Sequence, residues 1–480
     1  MKLVVLLLIV AWVQAVVAAD RKARLTALKP SDIPPHVISS GVLDQTVVFG
    51  YTYESGIDAS SISWDSLTHL VLAFFRVEPT GTVTSSSNSI PALVAAAHKN
   101  KVKVLGSIGG DGDGSVALAQ ALSTSDTRTK LASSLSSIIK TYNLDGIDYD
   151  LEFPGSKQEL NNLYAGLKSM RASLDATFGK KAKVLTMTLY SSKGLFGPKL
   201  AATNAAPFSD IVDYGLLMSY DYFGSFSETS APNSPFYDIP GYPGLSFTSS
   251  IAAWLKSGWD PKKLVAGLPF YGRTLIVKTP GSINTQFMAN SGNTPPSGPV
   301  NKISGAWTWK DLRNPDGGAL QSANVAGNGW QRFWDSSTET PWLFHNVSST
   351  YLGYDDPESL TIKANHIITQ GLVGAMIWMV QYDYKNELQA VVRNYSAACS
   401  RISRLASKEE KSMSEEESSE SESEESDSEE SDSDSEDISD SDILEVSSGT
   451  DILDDIDSET SSGWSRHPPW LFLALGVLLI

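Results

Sequence analysis

Residues 144–155, LDGIDYDLEFPG, place acids at Asp145, Asp148, Asp150 and Glu152. In an extended strand, side chains two apart share a face. Asp148, Asp150 and Glu152 therefore point one way, and Ile147, Tyr149 and Leu151 point the other. Such a strand needs a polar cleft on one side and a packed apolar layer on the other. Three like charges in a row have no packing value, because repulsion and burial raise their pKa values. Groups perturbed in that way are suited to giving and taking protons. The residues alone allow an acid, a base and a nucleophile among the three carboxylates. Asp145, at the start of the run, reads as an orienting or capping residue.

The elements that position these acids lie between Leu43 and Ser400, where short apolar runs alternate with helical stretches. The pattern predicts strands over Thr46–Thr52, His69–Phe75, Lys101–Ser107, Leu144–Leu151, Ala182–Tyr190, Ile211–Tyr220, Leu264–Phe270 and Leu372–Met379. Helices are predicted over Ser115–Tyr142, Ser156–Phe178 and Ser359–Thr369, among others. Alternation of this kind indicates an α/β fold, a (β/α)8 TIM barrel over residues 43–400. An open doubly wound sheet is the competing architecture. The barrel is favoured because polar and Gly-rich positions cluster at the C-terminal ends of several strands, where barrel enzymes collect their active sites. Between Phe270 and Ser359 the chain is rich in Gly, Pro, Asn and Trp. A structureless loop of that length is implausible in a compact domain, so an inserted subdomain is expected.

Charge divides the 480 residues unevenly. Residues 401–480 hold 24 Asp/Glu against 5 Lys/Arg, leaving 31 acids and 32 bases in residues 1–400. The overall net charge of −18 thus belongs to the tail, and the folded part is close to neutral. No basic patch or nucleic-acid motif appears. Lys2, the apolar run Leu3–Val13 and the small residues 17–19 read as a secretory signal peptide over residues 1–19. The single cysteine, Cys399, excludes an internal disulfide and reads as an inert thiol. Residues 407–462 are mostly Ser, Asp and Glu and are expected to form a disordered acidic stalk. Such a segment reaches on the order of 40 Å as a flexible chain, and further with self-repulsion. Residues 463–480 end in an apolar run from Trp470, too short to span a bilayer of about 30 Å. Small residues, a polar spacer and a terminal hydrophobic tail read as a glycolipid (GPI) anchor signal. The expected address is the outer face of the cell membrane or the cell wall. The sequons at Asn346 and Asn394 fit a secreted glycoprotein.

The run Asp145-Gly-Ile-Asp148-Tyr-Asp150-Leu-Glu152 resembles the signature of glycoside hydrolase family 18, the chitinases and their relatives. Further matching stretches stand in the same order: Ser107-Ile108-Gly109-Gly110, Met218-Ser219-Tyr220-Asp221, Gly267 to Arg273, and Gly374 to Trp378. The resemblance covers roughly Thr46 to Val392. It implies that the insertion, over 273–350, is an α+β subdomain after the seventh strand, since Tyr354-Asp355-Asp356 resembles the stretch beyond the family's insertion. It also implies substrate-assisted catalysis, an exception to the usual pair of carboxylates. Glu152 would then be the general acid, and the nucleophile the sugar's own acetamido oxygen. Asp150 would hold the acetamido N–H and share a proton with Asp148, while Tyr220 would orient the acetamido carbonyl. Asp221, Met218, Tyr271 and Arg273 would contact substrate, with Trp378, Tyr51 and Phe74 lining the pocket. Ser107, Gly109 and Gly110 would serve close packing. No metal or cofactor is implied, and the chain is expected to act as a monomer.

Three positions depart from the family's pattern. Asp111 stands where many chitinases carry a Trp that stacks on the acceptor-side sugar, Leu151 replaces a common Trp, and Phe226 replaces another. The implied activity is a retaining chitinase acting on chitin or other N-acetylglucosamine-containing oligosaccharides. Alternatives are an endo-β-N-acetylglucosaminidase acting on N-glycans and a non-catalytic chitinase-like lectin, the last disfavoured by the presence of Glu152.

Overall fold

Seven apolar runs form parallel strands: β1 (Val47–Tyr53), β2 (His69–Val77), β3 (Lys103–Gly109), β4 (Gly146–Asp150), β5 (Val184–Leu189), β6 (Tyr214–Leu217) and β7 (Leu264–Pro269). The structure, a computed structural model, describes residues 28–421 apart from 86, 193, 201–203 and 279–284. The expected signal peptide (1–19), the rest of the acidic stretch and the hydrophobic end (463–480) lie outside the described residues.

An insertion comes after β7. Its strands β8 (Tyr271–Ile276), β9 (Ala306–Thr308), β10 (Trp330–Asp335), β11 (Thr340–His345) and β12 (Thr350–Gly353) form one antiparallel sheet in the order β9-β8-β12-β11-β10. Its own small core gathers Leu275, Val277, Met288, Trp342, Phe344 and Tyr351. The chain then returns to the barrel as β13 (Gly374–Trp378). β13 pairs with β7 and β1, and β1 with β2, so the parallel sheet closes. The expected (β/α)8 barrel and its insertion are both present.

Helices cover the outside: α1 (Ile90–Lys99), α2 (Asp113–Leu122), α3 (Ser125–Tyr142), α4 (Lys157–Phe178), α5 (Ala206–Ile211), α6 (Phe247–Lys256), α7 (Pro357–Thr369) and α8 (Glu387–Ser421). The single helix expected over 115–142 is two. Thr124 has an extended backbone and accepts from the Thr127 N–H, a capping box that starts α3 afresh. The sixth strand is shorter than expected, because Ile211 ends α5 and the chain turns after Leu217.

The folded domain also begins before residue 43. Ile33, Val37 and Val42 are buried in the main core, and Arg401 on α8 donates to the Leu28 carbonyl at 2.6 Å. At the other end, α8 continues to Ser421, so helical backbone replaces the first part of the expected acidic stalk. That helix carries Cys399, fully buried, with its thiol pushed up to about 11 by burial.

Candidate active site

Sheet register brings the first layer together. Asp148 on β4 stands beside Ser107 on β3 and Thr186 on β5. All three are fully buried inside the barrel, while Ile147, Tyr149 and Leu151 are buried on the opposite face. Asp148 Oδ2 accepts hydrogen bonds from the Tyr51 hydroxyl at 2.8 Å and from Ser107 Oγ at 2.7 Å. Its Oδ1 accepts from Thr186 Oγ1 at 2.6 Å. Burial raises the pKa of Asp148, and these three hydroxyls pull it back. Three donors aimed at one carboxylate favour its ionised form.

Asp150 sits one layer higher and has Thr188 Oγ1 as a donor at 2.7 Å. Burial, and after it the charge on Asp148, pushes its carboxyl up to about 8. Glu152 lies just beyond the end of β4 and is half-buried. Burial, then the charges of Asp150, Asp111 and Asp221, hold it well above the usual carboxylate range. The expected proton sharing between Asp148 and Asp150 is therefore unequal, with the charge favoured on Asp148 and the proton on Asp150. Burial and the neighbouring charges push the outer two acids toward their protonated forms, while three hydroxyl donors favour the ionised form of the innermost one.

Glycines and a serine set the position of the outer acids. The Gly110 N–H donates to the Asp150 carbonyl at 2.8 Å, and the Glu152 N–H donates to Ser115 Oγ at 2.7 Å. Gly109 has φ +103, and a Cβ there would collide with the Asp150 carbonyl oxygen. Gly109→Ala is thus expected to cost about 2 kcal/mol or more, from left-handed backbone and steric conflict together. Urea unfolding of the variant checks this, and an unchanged midpoint would count against the clamp.

Tyr220 and Asp221 lie in a tight turn beyond β6, where the Tyr220 N–H donates to the Met218 carbonyl at 2.7 Å and Asp221 has φ +59. Met218 itself is half-buried at the head of that turn. The Tyr220 ring is buried, and its hydroxyl contacts Met376 Sδ at 3.6 Å, a weak acceptor that leaves the O–H available for a stronger one. Burial, then Asp150, keep that hydroxyl protonated. A buried segment after the turn holds it in place. Asn233 Oδ1 accepts from the Asp221 N–H at 3.1 Å, and Ser234 Oγ donates to the Ser219 carbonyl at 2.6 Å. Lys363 on α7, fully buried, donates to Ser234 Oγ and to Asp355 Oδ1, each at 2.7 Å. Arg273 Nε donates to Asp221 Oδ1 at 2.6 Å, and its guanidinium lies over the Tyr271 ring at 5.4 Å. Both residues come from β8, so the insertion grows directly out of the wall of the site.

Trp378, at the end of β13, is half-buried between two rings. Its centroid is 5.2 Å from that of Tyr51 and 6.1 Å from that of Phe74. Phe74 is half-buried and would meet any side chain added at Gly110. Tyr51 is only 1% exposed. It supports the pocket from beneath and serves Asp148, rather than lining the cleft as expected.

Some residues fall elsewhere. Asp145 accepts from His98 Nε2 and the Val104 N–H, both at 2.8 Å, at the opposite end of β4 from Glu152. Asn346 is exposed in the hairpin between β11 and β12, and Asn394 is exposed on α8. Sequence reasoning missed Thr186, Thr188, Ser115, Asn233, Ser234 and Lys363. The two threonines carried a signal, since Thr186-Met-Thr188 alternates with the same period as Asp148-Tyr-Asp150. The others had none. Among the described residues no group of three His, Cys, Asp or Glu side chains is arranged to hold a metal ion.

Three comparisons bear on this geometry. A chitinase-like effector from Moniliophthora roreri is 26% identical over 368 residues, covering 70% of this chain and 88% of the relative. A probable endochitinase from Caenorhabditis elegans is 26% identical over 62% of this chain, which spans only 45% of that relative's length. A mutant class V chitinase from Nicotiana tobaccum, solved with NAG4, superposes with a TM-score of 0.63 at 22% identity, covering 73% of this chain and 99% of that one. The model of the family described as glycosyl hydrolases family 18 matches residues 46–383, the span that holds every acid, hydroxyl and ring of the site. The chain belongs to glycosyl hydrolase family 18.

Proposed function

We propose that the protein is a retaining chitinase that cleaves β-1,4 linkages between N-acetylglucosamine units by substrate-assisted catalysis. The observation that carries this reading is the row of three acids on one face, with Asp148 held by three hydroxyls, Asp150 by Thr188, and Glu152 at the rim beyond β4. The inner carboxylate is committed to three hydroxyls, and burial with neighbouring negative charge pushes the outer two toward their protonated forms, which disfavours an anionic nucleophile at the cleft mouth. Glu152 gives its proton to the glycosidic oxygen as the C1–O bond breaks. The sugar's acetamido oxygen attacks C1 from the other side and closes an oxazolinium ring. Tyr220 orients that carbonyl, and Asp150 accepts a hydrogen bond from the acetamido N–H as positive charge develops. Water then opens the ring at C1, giving its proton to Glu152, and two inversions amount to retention. Developing charge meets fixed groups in a low-dielectric pocket, where such stabilisation is largest.

Incubation of the full chain with N-acetylchitooligosaccharides and, separately, with a high-mannose glycopeptide tests the reading. Shorter oligomers released first as the β-anomer are expected. Turnover of the glycopeptide alone would replace chitinase with the endo-β-N-acetylglucosaminidase reading, and tight binding without turnover of either would leave a lectin. For the address, we propose tethering at the outer face of the cell membrane through a glycolipid that replaces the hydrophobic end within 463–480 when that signal is cleaved. Treatment of intact cells with phosphatidylinositol-specific phospholipase C should release the protein, and retention after treatment counts against the anchor.

A further inference from the structure

The turn that bears Tyr220 is pinned on both sides by two consecutive buried residues, Asn233 and Ser234. Asn233 Oδ1 accepts from the Asp221 N–H, its Nδ2 donates to the Tyr271 carbonyl, and its own carbonyl accepts from the Tyr222 N–H, each at 3.1 Å. Ser234 Oγ donates to the Ser219 carbonyl at 2.6 Å. Ser219 Oγ in turn donates to the Gly267 carbonyl and accepts from the Gly267 N–H, both at 2.9 Å. The Tyr220 ring lies between these anchors, so close over Gly267 that a Cβ there would come within 2.8 Å of it. The place of the Tyr220 hydroxyl therefore depends on where residues 233–234 sit.

Lys363 holds that segment. Its fully buried ammonium has three N–H donors and meets three acceptors: the Ser234 carbonyl at 2.6 Å, Ser234 Oγ at 2.7 Å and Asp355 Oδ1 at 2.7 Å. An ammonium only donates, so Ser234 Oγ accepts from it and turns its own proton to the Ser219 carbonyl. The chain of hydrogen bonds thus has a fixed direction. Asp355, just before α7, is itself fixed by Ser359 Oγ, which donates to Oδ1 at 2.7 Å. Stability is a poor reason for this arrangement, because a buried ion pair gains little over apolar residues of similar volume. Asp355 Oδ2 is also buried with no hydrogen-bond partner among the described residues.

Resting on the mechanism above, in which Tyr220 orients the acetamido carbonyl, we propose that Lys363 is a positioning residue for catalysis. It fixes Asn233 and Ser234 so that the Tyr220 hydroxyl meets the acetamido oxygen of the donor sugar. Lys363 touches no substrate and acts through Tyr220. A displacement of about 1 Å at a reacting centre costs on the order of 10²-fold, so loss of this hold should lower kcat about 10- to 100-fold. KM should change little, since the contact matters most in the transition state.

Lys363→Met alone would strand Asp355 as an unpaired buried charge, so the test combines it with Asp355→Leu and removes both charges together. Melting temperature, kcat and KM on N-acetylchitooligosaccharides are measured for full-length Lys363→Met/Asp355→Leu, Ser234→Ala and Tyr220→Phe, and for the first two in the Tyr220→Phe background. The charge-free pair should melt close to wild type yet turn over slowly. Ser234→Ala, which keeps the ion pair but breaks the link to Ser219, should be slowed as well. Neither should slow Tyr220→Phe further, because the hydroxyl they position is then gone. Full turnover in the charge-free pair or in Ser234→Ala would overturn the proposal. So would losses that multiply with that of Tyr220→Phe, the mark of a general structural role. If the charge-free pair does not fold, Ser234→Ala and its combination with Tyr220→Phe decide. Tyr220→Phe without loss of kcat would overturn the orienting role of Tyr220, and wild type without turnover would overturn the proposed function; either takes this inference with it. A slow Tyr220→Phe beside normal Lys363 and Ser234 variants would remove only the role of Lys363.

Discussion

Glu152→Gln should lower the turnover of N-acetylchitooligosaccharides by about 10²–10⁴-fold, the range for loss of a general acid, while oligosaccharide affinity changes little. Gln fills the same volume and keeps the backbone N–H that donates to Ser115 Oγ at 2.7 Å, so the rim of the pocket keeps its shape. What disappears is the proton for the leaving oxygen. Because burial and the charges of Asp150, Asp111 and Asp221 push Glu152 toward its protonated, neutral form, the substitution changes the charge of the resting site little. Binding therefore feels almost no electrostatic change. Single-turnover kinetics beside calorimetric binding of the same oligomer separates the two effects. Near-normal turnover would move the acid elsewhere, and lost binding would mean that Glu152 holds substrate rather than reacting.

Asp150→Asn has a double consequence, and the pKa sets its sign. Burial and the charge on Asp148 raise this carboxyl from 3.8 to about 8 in the folded protein. Between those values the native state keeps a proton that the unfolded chain has released, so stability falls as pH rises through the window. Asn cannot ionise and removes that slope. The variant should melt at a higher temperature than wild type above pH 8, with the advantage shrinking toward pH 4. Activity should drop roughly 100-fold or more, because the oxazolinium loses its adjacent support. A stabilised but inactive variant is the signature of a strained functional site. Melting temperatures measured across the window decide the point. A difference that is flat with pH would mean that Asp150 is not held protonated by the fold.

Much of the architecture was legible because it is local. Short apolar runs such as Val47–Tyr53 and Lys103–Gly109 mark strands, period-two alternation marks Gly146–Asp150, and polar groups at their ends mark the open face of a barrel. The misjudged boundaries were those set by side chains competing for backbone groups. Thr124 caps α3 and breaks a helical pattern that looks continuous. Asn233 and Ser234 bind the backbone of Asp221 and Ser219, so the motif bearing Tyr220 leaves the sheet and turns. The acidic segment was expected to be disordered from residue 407, yet α8 carries regular helix to Ser421 as a continuation of the packed part.

The four acids of one short run show where sequence stops. Alternation alone puts Asp148, Asp150 and Glu152 on one face. A rise of about 3.3 Å per residue puts Asp145 far below the last of them, where it accepts from His98 instead. Which acid is charged is not a local property. It depends on Tyr51, Ser107 and Thr186, which lie 97, 41 and 38 residues from Asp148 in the chain. Only barrel closure brings their hydroxyls to one carboxylate, and only burial makes the next carboxylate keep its proton. The sequence by itself determined the acids, their common face and the family. The tertiary structure decided their protonation, because solvation and hydrogen bonding act through space and not along the chain.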